Sequence, residues 1–573
     1  MLVVLALFWP VRNYYVQWSA SQKGSAAYKA EDYAEAFRQW KIMADAGNVN
    51  SQNNIGSMYW QGKGVPRNDA LAVGMWRKTA IAGNADGAAA LAQAYYHGRG
   101  VARDYPMALM WARKAADAGQ VQGEYLLGVL YSKGRAVAQD HAQAFYWWRK
   151  AADGGSAEAI YCIGRAYYLG EGIGKDDKLA AEWVKRAADK GEPNGQMLMG
   201  TLYARGHGVG QDDRLAFEWW MKAALKGQAD ALYAVAAAYV QGIGVGKDEV
   251  QAFGWMNKAA NQGYALAQSN LGGFYAAGRG VTQSYDLAVY WWRKAAEAGD
   301  AEAGANLARA YSLGEGVGQD DSLAATWARK AADGGNVAGQ YLLGVFYHEG
   351  RGLPRNHGQA FQWWKKAAVE GHVVAQYNIG AAYLSGEGTA KDEKQAFDWL
   401  NRAADKDNDL AQYALGGMYW DGAGVPKDAA RAAALWRKAA DGGNTMAQAA
   451  LGDAYATGVG VSQSGTDAAA WWLKAAGHGN IDAQLNLAYA YANGKGIPRD
   501  DKAAETWWLE AAKAGNVDAE FSLGTLYYRG IGNKPNYQEA AKWFLKAAEH
   551  GYANARTYLE LMKENGQIDS KTL

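Results

Sequence analysis

The chain has 573 residues, half of them hydrophobic, with 72 glycines, 8 prolines and a formal net charge of +1. This composition excludes a disordered chain and a collagen-like or proline-rich one. The balanced charge removes the bulk basic field that would draw nucleic acid or an anionic membrane.

In chain order, residues 1–19 form an apolar, signal-like segment. Leu2 to Trp9 is an unbroken apolar run ended by Pro10 and Arg12, too short to span a bilayer. Lys and Arg are missing ahead of it, but a small-residue site, Ser19-Ala20-Ser21, follows. The segment predicts an exported, periplasmic or secreted protein. The alternative is a cytoplasmic protein whose apolar start packs on its first repeat. Residues 20–47 read as a degenerate N-terminal capping repeat, in which Asp32, Ala36, Trp40 and Gly47 keep the pattern of the later repeats.

Residues 48–551 are fourteen tandem repeats of 36 residues. Gly47, Gly83, Gly119 and their successors to Gly551 recur at this interval without insertion or deletion, and the one exception is Asp407. Twelve residues after each such ruler position stands a tyrosine, from Tyr59 to Tyr527. Two closely spaced glycines follow, with Ala136 replacing the second in one repeat. Then come an Asp, Asn or Ser and, four residues later, an alanine in every repeat. Residues 552–573 read as a closing helix and a polar tail, with Glu560 where the repeats carry a small packing residue.

One unit, residues 156–191, shows the physics. Ala159, Ile163 and Tyr167 share a face of a first helix, helix A, with Gly164 beside them. Gly170 and Gly172 end it, because glycine enters left-handed backbone angles without a Cβ penalty. Asp176 caps a second helix, helix B, by accepting its unpaired N–H groups. Ala180, Trp183, Val184, Ala187 and Ala188 form the second apolar stripe, and Gly191 stops it. Neither helix can bury its stripe alone, so stacked units must build a continuous core. Lys406-Asp407-Asn408 predicts an altered turn, since a non-glycine residue is strained there. Cys162, the single cysteine, cannot form an intramolecular disulfide, and its apolar helical setting predicts a buried core residue.

The pattern A-x-x-x-L-G-x-x-Y-x-x-G-x-G-V followed by D-x-x-x-A-x-x-W-W-x-K-A-A-x-x-G resembles the Sel-one-like repeat (SLR) family, a relative of the tetratricopeptide repeats. The resemblance implies an all-α fold: a right-handed superhelical α-solenoid of stacked antiparallel helix pairs, its inner surface lined by helix A. It implies a non-catalytic scaffold or adaptor that holds a protein or peptide partner on the concave surface. A cysteine-rich branch of the family acts on β-lactams, which makes a hydrolase of cell-wall-like substrates the alternative. This chain lacks the paired cysteines of that branch. An architectural subunit of a larger assembly is a second alternative.

Three positions on helix A, the sixth, tenth and thirteenth after the ruler glycine, share one stripe outside the expected core. They supply the candidate protein-binding residues. The sixth gives Tyr125, Tyr161, Tyr233, Tyr341, Tyr377, Tyr413 and Phe521; the tenth gives Arg165, Arg309 and Tyr489; the thirteenth gives Tyr168, His348, Trp420 and Tyr528. Tyr, Trp and Arg dominate binding hot spots, although aromatic residues at this spacing also serve to pack repeat on repeat. The second position of each helix B aromatic pair alternates large and small (Ala112, Trp148, Val184, Trp220, Met256), which suggests duplicated repeat pairs.

Other motifs carry no chemistry. Gly170-Glu171-Gly172-Ile173-Gly174-Lys175 lacks the spacing, the Ser or Thr and the preceding strand of a phosphate loop. The pairs Asp176-Asp177, Asp212-Asp213, Asp320-Asp321 and Asp500-Asp501 begin at helix caps. None of the eight histidines has a partner four residues away, and His348 and His357, on either side of one glycine loop, read as solvated side chains. No catalytic residue, metal or cofactor is expected.

Overall fold

The computed structural model describes residues 20, 22–532 and 534–569. The apolar run at Leu2–Trp9, with Ser19 and Ser21 of the small-residue site, lies outside the described residues, as does the end of the polar tail. The described chain is helical pairs throughout. Each helix from Tyr33–Asp45 to Tyr537–Glu549 has thirteen residues, except Glu393–Ala404, which has twelve. Among the described residues, no helix is long and apolar enough to cross a membrane. The residues divide into two units between Gln283 and Ser284. The first holds a helix at 22–29, helix Tyr33–Asp45, and the pairs from Val49–Gln61 onward, ending on helix A Ala265–Ala277. The second opens on helix B Tyr285–Glu297 and closes on Ala553–Glu564.

The residue at each helix A to helix B junction does what its chemistry dictates. Asp176 accepts the N–H of Leu179 at 2.9 Å, Asp212 that of Leu215 and Asp320 that of Leu323, so the first members of the acidic pairs are caps. Gly170 ends helix A Ala157–Leu169 at φ +74. The repeated tyrosine fastens one repeat to the one before it. Where the preceding helix B carries a phenylalanine, the tyrosine ring stands edge-on to it, as in Tyr167 with Phe145 at 5.6 Å and Tyr383 with Phe361 at 5.2 Å. In several other repeats its hydroxyl accepts from an arginine of that helix, as Tyr131 does from Arg113 at 2.8 Å.

The invariant alanine has no solvent exposure in any of the fourteen repeats, from Ala72 to Ala540. Beside it, a helix A glycine lies flat on the second aromatic position of helix B. A Cβ on Gly128 would sit 2.3 Å from the Trp148 ring, and one on Gly344 2.3 Å from Trp364. Where the helix B residue is small, as at Ala112 and Ala328, helix A carries Ala92 and Ala308 instead. At these positions the large–small alternation is a packing match, with glycine set under tryptophan and alanine under alanine, although Gly164 lies under Val184 and Ala488 stays opposite Trp508.

The altered turn expected at Asp407 is not observed. Asp407 takes φ +58, and its N–H and that of Asn408 bond to Ala404 and Ala403 as Gly371 and His372 bond to Ala368 and Ala367. Helix B ends one residue earlier there, at Ala404.

Candidate functional site on helix A and its loops

The helix A stripe is half packing and half surface. All seven aromatic residues at the sixth position are half-buried. Three of them lean on the residue after the next ruler glycine: Tyr341 stacks on His372 and Phe521 on Tyr552, both at 4.4 Å, and Tyr233 meets Tyr264 at 5.5 Å. Burial pushes the Tyr161 hydroxyl up to about 12, raises Tyr125, Tyr341 and Tyr377 in the same direction, and holds the His372 imidazole low. Tyr377 and Tyr413 contribute to the packing between successive repeats. Cys162 is buried as expected, and burial pushes its thiol up to about 12, which removes the thiolate that a nucleophile needs.

At the tenth position, Arg165 and Arg309 turn to their own loops, pairing with Glu171 at 3.0 Å and Glu315 at 3.4 Å. Tyr489 is more open, 41% exposed, with its hydroxyl 2.8 Å from Ser522 Oγ and its ring on Trp508. Tyr489 and Phe521 line one cleft of about 310 Å³ with Asn493, Ser522, Arg529 and Tyr552. That cleft brings together two of the stripe residues, and it mixes aromatic faces with polar groups.

The thirteenth position belongs to a different constellation, which recurs along the chain. Except at Ala136 and Gly532, the second loop residue is a glycine that rests on the carbonyl of the first residue of the preceding helix B. A Cβ on Gly100 would lie 2.3 Å from the Asp69 carbonyl oxygen, one on Gly352 2.0 Å from that of Asp321, and one on Gly388 2.2 Å from that of His357. The residue between the two loop glycines is thereby set against the first residue of that helix B and the thirteenth-position residue of its helix A. Arg99 fills the junction by pairing with Asp69 at 2.7 Å and lying 3.6 Å over the Trp60 ring. Asp69 is held well below the usual carboxylate range by hydrogen bonds from Arg99 and then Arg67. Arg279 pairs with Glu249 at 2.7 Å, Arg351 with Asp321 at 2.7 Å and His207 with Asp177 at 3.2 Å; Tyr168 borders the last. The second members of two acidic pairs, Asp177 and Asp321, thus clasp the next repeat. Trp420 packs on Trp436 at 5.2 Å, and Tyr528 lies against Tyr537 and Tyr558.

One junction brings together two imidazoles and a carboxylate. His348, His357 and Glu387 meet there, all within one cluster. The reading of these histidines as solvated side chains is corrected: their Nδ1 atoms lie 3.3 Å apart, and His357 Nδ1 is 2.8 Å from Glu387 Oε1. A spacing of four on one helix does not reveal them, because they stand on helix A, on helix B and on the next loop.

The Sel1 repeat model matches fourteen consecutive segments, from 49–84 to 517–552. The crystal structure of c5321, described as a protective antigen present in uropathogenic Escherichia coli strains displaying an SLR fold, is 30% identical with a TM-score of 0.65. The match covers 85% of this chain and 97% of that one. A Sel1 repeat protein from Oxalobacter formigenes is also 30% identical, covering 43% of this chain and 96% of its own, with a TM-score of 0.40. No curated protein matches the chain. The unbroken run of helix pairs with capped junctions, matched by the repeat model from residue 49 to residue 552, places this chain in the Sel1 repeat family, whose solenoid fold is commonly a protein-interaction scaffold.

Proposed function

We propose that this chain is a non-catalytic scaffold that holds a protein or peptide partner along the helix A surface. The observation that carries this reading is the cleft at Tyr489, Phe521 and Arg529. It offers aromatic faces, two guanidinium groups, the Asp501 carboxylate already paired with Arg499, and side-chain amide and hydroxyl groups, a composition that suits an interface anchor. Cys162 argues against a thiol hydrolase, because its sulfur is buried and its thiol is held protonated. Export of the chain remains part of the proposal and rests on the apolar run at Leu2–Trp9.

A photo-crosslinking side chain at Tyr489, used in the native host, should give one dominant protein adduct. The same group at Tyr290, 47% exposed on helix B, should not, and Arg529→Glu should weaken the Tyr489 adduct. Equal labelling from both positions would remove the helix A surface from the reading. Hydrolysis of a β-lactam by the purified chain would overturn its non-catalytic part.

A further inference from the structure

We infer that His348, His357 and Glu387 form a binding site for a divalent transition metal ion of the zinc class, which fastens two successive repeats together. His348 ends helix A Val337–Glu349, His357 opens helix B His357–Val369, and Glu387 sits in the glycine loop of the next repeat. The ligand atoms are His348 Nδ1, His357 Nδ1 and Glu387 Oε1. Their separations are 3.3 Å between the two nitrogens, 2.8 Å from His357 to Glu387 and 3.8 Å from His348 to Glu387. Zinc–nitrogen and zinc–oxygen bonds of about 2.0–2.1 Å put the ligand atoms of a tetrahedral site about 3.3 Å apart. The three separations straddle that value, so an ion at their centre needs only side-chain adjustments of a few tenths of an ångström. Two imidazoles with one carboxylate also make a donor set suited to zinc and its neighbours rather than to magnesium or calcium.

The surroundings hold each ligand in place. The His348 ring lies on Trp364, with ring centres 5.2 Å apart. Asn356 caps the helix that begins with His357, accepting the N–H of Gln359 at 2.9 Å. The Glu387 N–H donates to Ser385 Oγ at 3.2 Å, and Gly388 rests on the His357 carbonyl, which fixes the loop that carries the carboxylate. The cluster opens on a cavity of about 310 Å³ whose wall includes Asn378 and Ser385. A fourth ligand, water or a group from a partner, has room there, so the site has three protein ligands and one open position.

No other described group of three or more histidine, cysteine, aspartate or glutamate residues brings its ligand atoms this close together. The equivalent junctions at Asp69 with Arg99 and at Asp321 with Arg351 place a guanidinium where the ion would sit, and a cation is needed in each case to face the carboxylate. In the third junction the protein supplies imidazoles, so the cation must come from solution or be a proton shared among the three groups.

The experiment separates those two. The tag-free full-length chain is stripped with a chelator and titrated with zinc chloride by calorimetry, then with cobalt(II) while its visible spectrum is followed. The expected result is one tightly bound zinc per chain, together with the intense visible bands of a low-coordinate cobalt site. His357→Ala and Glu387→Gln should each weaken zinc binding by roughly tenfold or more, since even outer-shell changes cost 10–100-fold. His207→Ala should leave it unchanged. Circular dichroism of the variants shows that they remain folded. Failure of the stripped chain to bind zinc, or binding that survives His357→Ala and Glu387→Gln, overturns the site and leaves a proton-sharing cluster.

Discussion

Two neighbouring junctions, 36 residues apart, share one backbone and differ in what fills it. At the first, Ser312, Asp321 and Arg351 meet; at the second, His348, His357 and Glu387 occupy the corresponding places. In both, a second loop glycine rests on the carbonyl that opens helix B, Gly352 on Asp321 and Gly388 on His357. The first junction is closed within itself, because Arg351 donates to Asp321 at 2.7 Å and to Ser312 Oγ at 2.9 Å. The second turns three ligand atoms toward one another with no fixed cation between them. The fold therefore supplies a standard three-cornered frame, and the side chains decide whether it is a clasp or a site.

The strongest way to sharpen this comparison is to move the site. Ser312→His, Asp321→His and Arg351→Glu together should give the chain a second zinc equivalent, counted by native mass spectrometry. A dissociation constant below about 10 μM corresponds to about 7 kcal/mol. If the transplanted junction binds no zinc while the original does, the frames are not equivalent.

Removing the platform below the site is expected to cost less but still a great deal. Trp364 is buried against Gly344 and carries the His348 ring. Trp364→Ala should destabilise its repeat by about 3–5 kcal/mol, read by hydrogen exchange of helices Val337–Glu349 and His357–Val369. The preceding repeat carries Ala328 opposite Ala308 at the same place, so Ala328→Trp should instead overpack, at about 1–3 kcal/mol.

The frame itself can be tested by Gly352→Ala and Gly388→Ala. Both glycines have positive φ, +65 and +77, and both would drive a Cβ into a carbonyl oxygen. Each change should cost about 2–3 kcal/mol, and by similar amounts if the backbones match. Thermal melts of the two variants check this. Ala136 shows that one junction accepts a Cβ at this place, at φ +61. There Ala136 lines a surface recess with Pro106, Met110 and Lys114.

The smallest effect is expected from Arg351→Met. The pair with Asp321 is about one-third exposed on each side, so solvent screening limits it to about 0.5–1 kcal/mol. The difference should shrink in high salt, measured by chemical denaturation at two ionic strengths. A salt-independent loss would mean that the arginine stem packs rather than pairs.

The period, the helix pairs and the caps were readable residue by residue, because each rests on local chemistry: glycine at positive φ, aspartate at a helix start, alanine where helices touch. The sixth-position aromatics were half readable. Their spacing put them on one stripe, but whether a ring lies open or against the next repeat depends on its neighbour 31 residues on, as Tyr341 and His372 show. The junctions were missed, although the period held a signal for them. Asp69 and Arg99, Glu249 and Arg279, and Asp321 and Arg351 are charge pairs 30 residues apart, and His357 and Glu387 stand in the same columns.

The sequence by itself determined that this chain is a solenoid of helix pairs, where helix A ends and helix B begins, and the apolar stripe that each helix must bury. Those properties follow from contacts within about one turn of helix and from the repeated burial of the same stripe. Only the tertiary structure decided which residues from separate elements share a corner. That depends on how closely one backbone lies on the next, at Gly388 over the His357 carbonyl within about the width of a single methyl group. At that corner, two histidines and a glutamate from three separate elements become neighbours.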